Sequence, residues 1–311
     1  AGRAALGESL LASGRLLQQR QLRSCARRPN PTPSRDRVVS RATRRARNPS
    51  RTTHADAQVN SAQDRARLRL AENGSFDRYV SAMPHSIILA GVPVELLPER
   101  AIFVPSLGAL IVADVHWGKA AAFRAQGVPV PHGTTQSGVE HLDALLTRTN
   151  PAHLYVLGDL LHARAGMVPA TVRTLEAWRA TRATLPITLV RGNHDYGAGD
   201  PPASLGIICV DAPLQVGPFA LCHHPGTCDS GYVLAGHIHP VVQLRGRGRQ
   251  KLTLRCFAFG AQGGLLPAFG EFTGGAVIEP RDFTSVYVVA GDDVVPVNDA
   301  PAIHAPYVTP G

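Results

Sequence analysis

The chain has 311 residues, 44% hydrophobic and 18% charged, a balance that excludes a wholly disordered or collagen-like protein. Its net charge of +9 invites the idea of a nucleic-acid binder. Location argues otherwise: residues 1–78 hold seventeen Arg, no Lys and six acids (+11), while residues 79–311 hold fifteen Lys and Arg against seventeen acids (−2). The basicity belongs to one end, and the body is slightly acidic.

In chain order, residues 1–82 read as an Arg-rich extension, with runs such as Arg27-Arg28-Pro29 and Arg44-Arg45-Ala46-Arg47 and few large apolar residues beyond Leu22. Such a segment can bury little surface to offset chain entropy, so disorder is expected. Three readings stand: an organelle-type leader, a basic arm for nucleic-acid phosphates, or an extension without function, which is the one adopted as the expectation. Met83 is the first Met of the chain, and folding, with natural translation, is expected to begin there.

The body, residues 83–300, reads as one α/β domain. Short apolar runs at 102–104, 109–113, 154–157, 187–190, 207–210, 220–222 and 233–235 have the length and bounding turns of buried strands. Val139, Leu142, Leu145 and Leu146 share one helical face, as do Val172, Leu175 and Trp178. Strand–helix alternation up to about residue 187 gives way to strands and frequent Gly, which predicts a more antiparallel second half. Residues 301–311, with three Pro, read as an irregular tail. The five Cys (25, 209, 222, 228 and 256) are odd in number and lack CxxC spacing, which disfavours a disulfide framework and fits a reducing cytoplasm. No apolar run approaches the roughly 20 residues of a membrane helix, so no membrane partner is expected.

Ten of the thirteen His fall between residues 116 and 239, many of them beside Gly, Asp or Asn at strand ends. Asp114-Val115-His116 ends one apolar strand, and the i, i+2 spacing would let both side chains reach one ion from an extended backbone. Gly158-Asp159, Gly192-Asn193-His194-Asp195, His223-His224-Pro225 and Gly236-His237-Ile238-His239 follow the later strands. Any one of these has an ordinary explanation as a turn or a solvated loop. Together, five strand ends offering carboxylate, amide and imidazole would be poorly paired without a metal. Oxygen and nitrogen donors without thiolate suit Mn²⁺, Fe or Zn²⁺.

This ordered motif set resembles the calcineurin-like metallophosphoesterases, over about residues 86–280. The stretches 114–124, 158–164 and 266–275 resemble more closely the bacterial ligase-associated DNA damage response endonucleases, also described as phosphodiesterases. Where that subfamily carries Leu twice in its first motif, Val115 and Trp117 stand here, and the ligands are intact. The resemblance implies an αββα sandwich of two mixed sheets flanked by helices. It also implies two divalent ions, most simply Mn²⁺: one held by Asp114, His116, Asp159 and His239, the other by Asp159, Asn193, His223 and His237. They would share a water, lower its pKa and direct it at phosphorus. His194 would act as acid near the leaving group, with Asp195 orienting its imidazole. His223 is taken over His224 on the same resemblance, and His162 is left between an outer-shell role and a structural one. Among nearby cations, Lys119 and Arg124 are chosen over Arg164 and Arg191 as phosphate holders. The cations of 245–251 are read as a solvated edge. The expected function is hydrolysis of phosphodiesters, DNA included, in repair, with a DNA ligase and a helicase as functional associates. The alternatives are a small-molecule phosphatase or phosphodiesterase, for nucleotides for example, and a non-catalytic metal-binding scaffold.

Overall fold

The strands alternate side chains between two different cores, and that alternation builds the molecule. In the computed structural model, residues 84–131, 133–245 and 251–298 are described. The extension 1–82, residues 246–250 and the tail 301–311 lie outside them. The first sheet has the order β1 (His85–Leu89), β2 (Val92–Leu97), β3 (Ala101–Val104), β4 (Ala109–Ala113), β5 (His153–Leu157), β6 (Ile187–Val190), β7 (Ile208–Val210). Strands β1 to β4 form an antiparallel meander, and β4 to β7 run parallel. Helices α1 (Lys119–Ala125), α2 (Thr134–Thr149), α3 (Pro169–Thr181) and α4 (Asn193–Ala198) occur among these parallel strands, and the described residues contain no other α-helix. As predicted, α2 turns Val139, Leu142, Leu145 and Leu146 inward; α3 buries Leu175 and Trp178 of its predicted face, with Thr171 buried and Val172 only half-buried.

The second sheet holds β8 (Leu214–Val216), β9 (Phe219–Cys222), β10 (Tyr232–Ala235), β11 (Pro240–Arg245), β12 (Lys251–Phe259), β13 (Gly263–Leu265), β14 (Ala276–Val277), β15 (Ser285–Ala290) and β16 (Asp293–Asn298). It is mixed: β10 runs parallel to β9 and β13, while β12 is antiparallel to β11, β13 and β15.

Along β4, Leu110 and Val112 face the helices, whereas Ala109, Ile111 and Ala113 face the second sheet. On that sheet Phe219, Leu221, Leu234, Phe257 and Phe259 point back at the first, and Ala220, Val233, Cys256 and Ala258 point outward. Period-2 patterning thus gives a two-sheet α/β sandwich with a shared apolar middle. The outer face of the second sheet packs against Ile278 and Phe283. Parallel strands β4, β5 and β6, and β9 and β10 across the sandwich, all end toward the same cluster of loops.

Candidate metal centre

Three of the five loops at those strand ends, those after β4, β5 and β10, are bent back by left-handed residues. Asp114, His116, Asp159, His237 and His239 have φ of 55°, 53°, 50°, 67° and 51°, against only three other non-Gly residues with positive φ among the described ones. A Cβ residue in this region costs on the order of 1 kcal/mol, and five of them at one place mark a site held against local preference. Asp114 and His116 therefore reach a common point through two left-handed bends, not through the strand alternation that their spacing suggests. Two glycines make the approach possible. A Cβ on Gly192 would collide with the Asp159 carboxylate, and one on Gly236 with that of Asp114.

Asp114 is fully buried, and both its oxygens accept the His237 backbone N–H, at 3.1 and 2.9 Å. Asp159, also buried, accepts the His194 N–H at 2.9 Å. The His223 ring donates from Nδ1 to the Leu157 carbonyl at 3.0 Å, which leaves Nε2 as an acceptor. That nitrogen faces Asn193 Oδ1 at 2.9 Å, His237 Nδ1 at 3.1 Å and Asp159 Oδ1 at 3.4 Å. A second convergence brings His116 Nε2 to 3.4 Å from His239 Nε2 and 3.8 Å from Asp159 Oδ2, with Asp114 Oδ1 3.3 Å from His239 Nε2. His239 Nδ1 donates to the Gly274 carbonyl at 3.1 Å, which fixes its tautomer. Burial holds His223 down to about 4, and burial with Lys119 and neighbouring imidazoles holds His116 down to about 2. Both rings are neutral at pH 7, the form that ligates metals. Lone pairs crowded on lone pairs, with carboxylates between them, fit a cation and little else.

The structure brings all seven expected ligands together and separates some of their neighbours. His224 is exposed and tilts over His237, with ring centroids 4.2 Å apart. Its donor atoms can also join a group with His223 and His237. The buried member with an assigned tautomer is His223. His194 Nδ1 bonds the His162 carbonyl at 2.8 Å, and its Nε2 lies 3.9 Å from Asp159 Oδ2. Asp195 is the correction: both its oxygens are taken by backbone, Leu161 N–H at 3.1 Å and Gly192 N–H at 2.9 Å. It staples the β5 and β6 loops together, and the carbonyl of His162 orients His194 in its place. Burial pushes the Asp195 carboxyl up to about 6.

Lys119 lines a cleft of about 140 Å³ with His116, Thr134, Thr135, Glu271, Phe272 and Thr273. Arg124 serves elsewhere: its guanidinium donates to the carbonyls of Val130 (3.3 Å) and Pro131 (2.8 Å) and pins the loop after α1. Arg191 is likewise committed, to Asp200 and Asp211. Sequence reasoning missed Arg255. Its half-buried guanidinium donates to the carbonyls of Ala268, Gly270, Glu271 and Thr273, and so holds residues 266–274 as a strap. Phe269 N–H of the strap bonds Ala113 O, Gly270 N–H bonds Asp114 O, and Gly274 O receives His239. The strap joins the first and last metal loops. An Arg in a strand carries no motif, and only the resemblance of 266–275 hinted at its target.

These features define a candidate metal centre, and comparison with known proteins places the chain. The calcineurin-like phosphoesterase family matches residues 109–253. A nuclease of Pseudomonas putida, MPE, whose crystal structure is known, is 44% identical with a TM-score of 0.61, covering 69% of this chain and 100% of that one. Yfce, a phosphoesterase from E. coli, is 14% identical with a TM-score of 0.30, covering 59% of this chain and 88% of its own. Comparison with curated proteins returned no match. The chain belongs to the calcineurin-like phosphoesterases, and it is a metal-dependent phosphoester hydrolase. Among the described residues no helix is long and apolar enough to cross a membrane.

Proposed function

We propose that this chain is a binuclear-metal phosphodiesterase that cuts nucleic-acid strands, DNA first among them, and that its setting is DNA repair. The observation that carries the reading is the shared position of Asp159. Its Oδ1 faces the Asn193–His223–His237 group and its Oδ2 faces His116, beside Asp114 and His239. One carboxylate with an oxygen toward each group suits two ions, Mn²⁺ before Fe or Zn²⁺ given oxygen and nitrogen donors. Such ions supply an activated water and neutralise charge on the phosphoryl oxygens.

The chain's own residues do the rest. Lys119, in the cleft beside His116, holds phosphate oxygens. The His162 carbonyl accepts a hydrogen bond from Nδ1–H of His194 and turns Nε2 toward the centre, where it can hold a proton for the departing oxygen. The nuclease neighbour supports nucleic acid over small esters. The repair setting, and a ligase and a helicase as functional associates, are inferred from motif resemblance. The cytoplasmic setting is inferred from cysteine usage. Hydrolysis of bis-p-nitrophenyl phosphate with added Mn²⁺ tests the core of this proposal. Asp159→Asn should lower the rate by more than about 100-fold, and equal rates would overturn the catalytic reading.

A further inference from the structure

We infer that Phe272 is a stacking platform for a nucleobase next to the scissile phosphate, and so a residue that determines specificity for nucleic acid. The inference rests on the phosphodiesterase reading above and deepens it. The strap carries two Phe with opposite fates: Phe269 is buried at 1% exposure, while Phe272 is 44% exposed. An exposed Phe is ordinary on a loose surface. This one sits on backbone held on both sides by Arg255, through Glu271 O at 2.8 Å and Thr273 O at 3.5 Å. A ring presented by a fixed backbone is pre-organised to bind.

Its surroundings say what it would bind. The Phe272 ring lies edge-on to Phe123 at 6.0 Å, and Phe123 lies edge-on to His162 at 5.6 Å. His162 stacks on His194 at 4.8 Å, so a row of rings runs from the proton-holding histidine to the rim. Lys119 Nζ stands 5.9 Å from the Phe123 centroid and shares the cleft with Phe272 and His116. Cation, aromatic face and phosphate site within one cleft are the parts that bind a nucleic-acid strand. Glu271 on the same wall disfavours a second phosphate there and favours a neutral planar group. Thr134 and Thr135 line the same cleft, and the Thr135 hydroxyl, which accepts the Gly118 N–H, keeps its own proton to donate to the edge of such a group.

The test compares kcat/KM, at saturating Mn²⁺, for a 12-residue thymidine oligonucleotide and an abasic oligomer of the same length and charge. The wild type should prefer the base-bearing strand by about 5- to 150-fold. Phe272→Ala should lower kcat/KM for the base-bearing strand through KM by far more than for the abasic strand, which brings the ratio near one, and Phe272→Trp should restore the ratio. A preference that survives Phe272→Ala overturns the inference. So does an equal loss on both strands, which would make Phe272 merely structural. If the wild type hydrolyses bis-p-nitrophenyl phosphate but neither oligomer, the nucleic-acid reading falls and takes this one with it.

Discussion

The two sheets contribute differently to one centre. The first, through the loops after β4, β5 and β6, supplies both carboxylates, Asn193, His116 and the His162–His194 pair. The second, through the loops after β9 and β10, supplies imidazoles alone, His223, His237 and His239, and the Arg255 that holds the strap. Ligand loops on the first sheet are fixed by carboxylates taking backbone N–H groups, as Asp195 does with Gly192 and Leu161. On the second, His223 and His239 donate to carbonyls, and the His237 N–H is taken by Asp114 of the first sheet. Under the proposed function this is a division of labour: the first sheet moves the proton and sets the charge, and the second completes and clamps the ion site. Neither sheet alone holds a full donor set.

The largest expected effect lies on the first sheet. If His194 holds the leaving-group proton, His194→Gln should lower kcat by about 10²- to 10⁴-fold while Mn²⁺ affinity stays at the wild-type value. The loss should be worst for esters with poorly acidic leaving alcohols and mildest for p-nitrophenol. Calorimetric Mn²⁺ titration beside kcat for two leaving groups makes the check. A variant that loses metal instead of turnover would break the division.

The matching effect on the second sheet is smaller and shows in the other readout. Arg255 touches no ligand, yet its strap fixes the tautomer of His239 through Gly274 and braces the Asp114 loop through Gly270. Arg255→Lys can satisfy fewer of the four carbonyls, so Mn²⁺ affinity should fall by about 10- to 100-fold, with kcat at saturating metal changed much less. Added guanidinium should restore affinity to Arg255→Ala. If affinity holds and only thermal stability drops, the strap is packing and the clamp idea fails.

Much of this was legible in the sequence for a definite reason. Strand runs such as 109–113 are apolar on both faces because both faces are buried, and three of the expected ligands, Asp159, Asn193 and His237, follow a Gly directly. The order of the five motifs carried a family resemblance, and that resemblance supplied the expectation of two donor groups. What stayed hidden depends on tertiary geometry. Asp195 looked like a partner for the adjacent His194, but the turn of α4 aims its carboxylate at Gly192 and Leu161. Arg124 looked free, and only the path of the chain after α1 shows carbonyls collecting it. Arg255 lies 141 residues from Asp114 in the chain, and nothing local links the two.

The smallest effect tests whether the strap also rests firmly on the first sheet's helical layer. Phe269 of the strap is buried in that layer beside His141 of α2, with ring centroids 5.1 Å apart. His141 Nε2 is buried without a hydrogen-bond partner. Burial, then the Arg100 charge, hold this imidazole below its ordinary value, against smaller opposing contributions from a Glu99 backbone bond and the Glu271 and Glu99 carboxylates. The folded state then binds fewer protons than the unfolded one below pH 6.5, so its stability is full above that value and falls as pH drops below it. In metal-free protein, the urea midpoint should fall between pH 7.5 and pH 5.0. The fall should be smaller in His141→Gln, whose side chain cannot take up the proton. Equal falls would mean that the helical layer yields to the charge, leaving Arg255 and the second sheet as the strap's principal anchor.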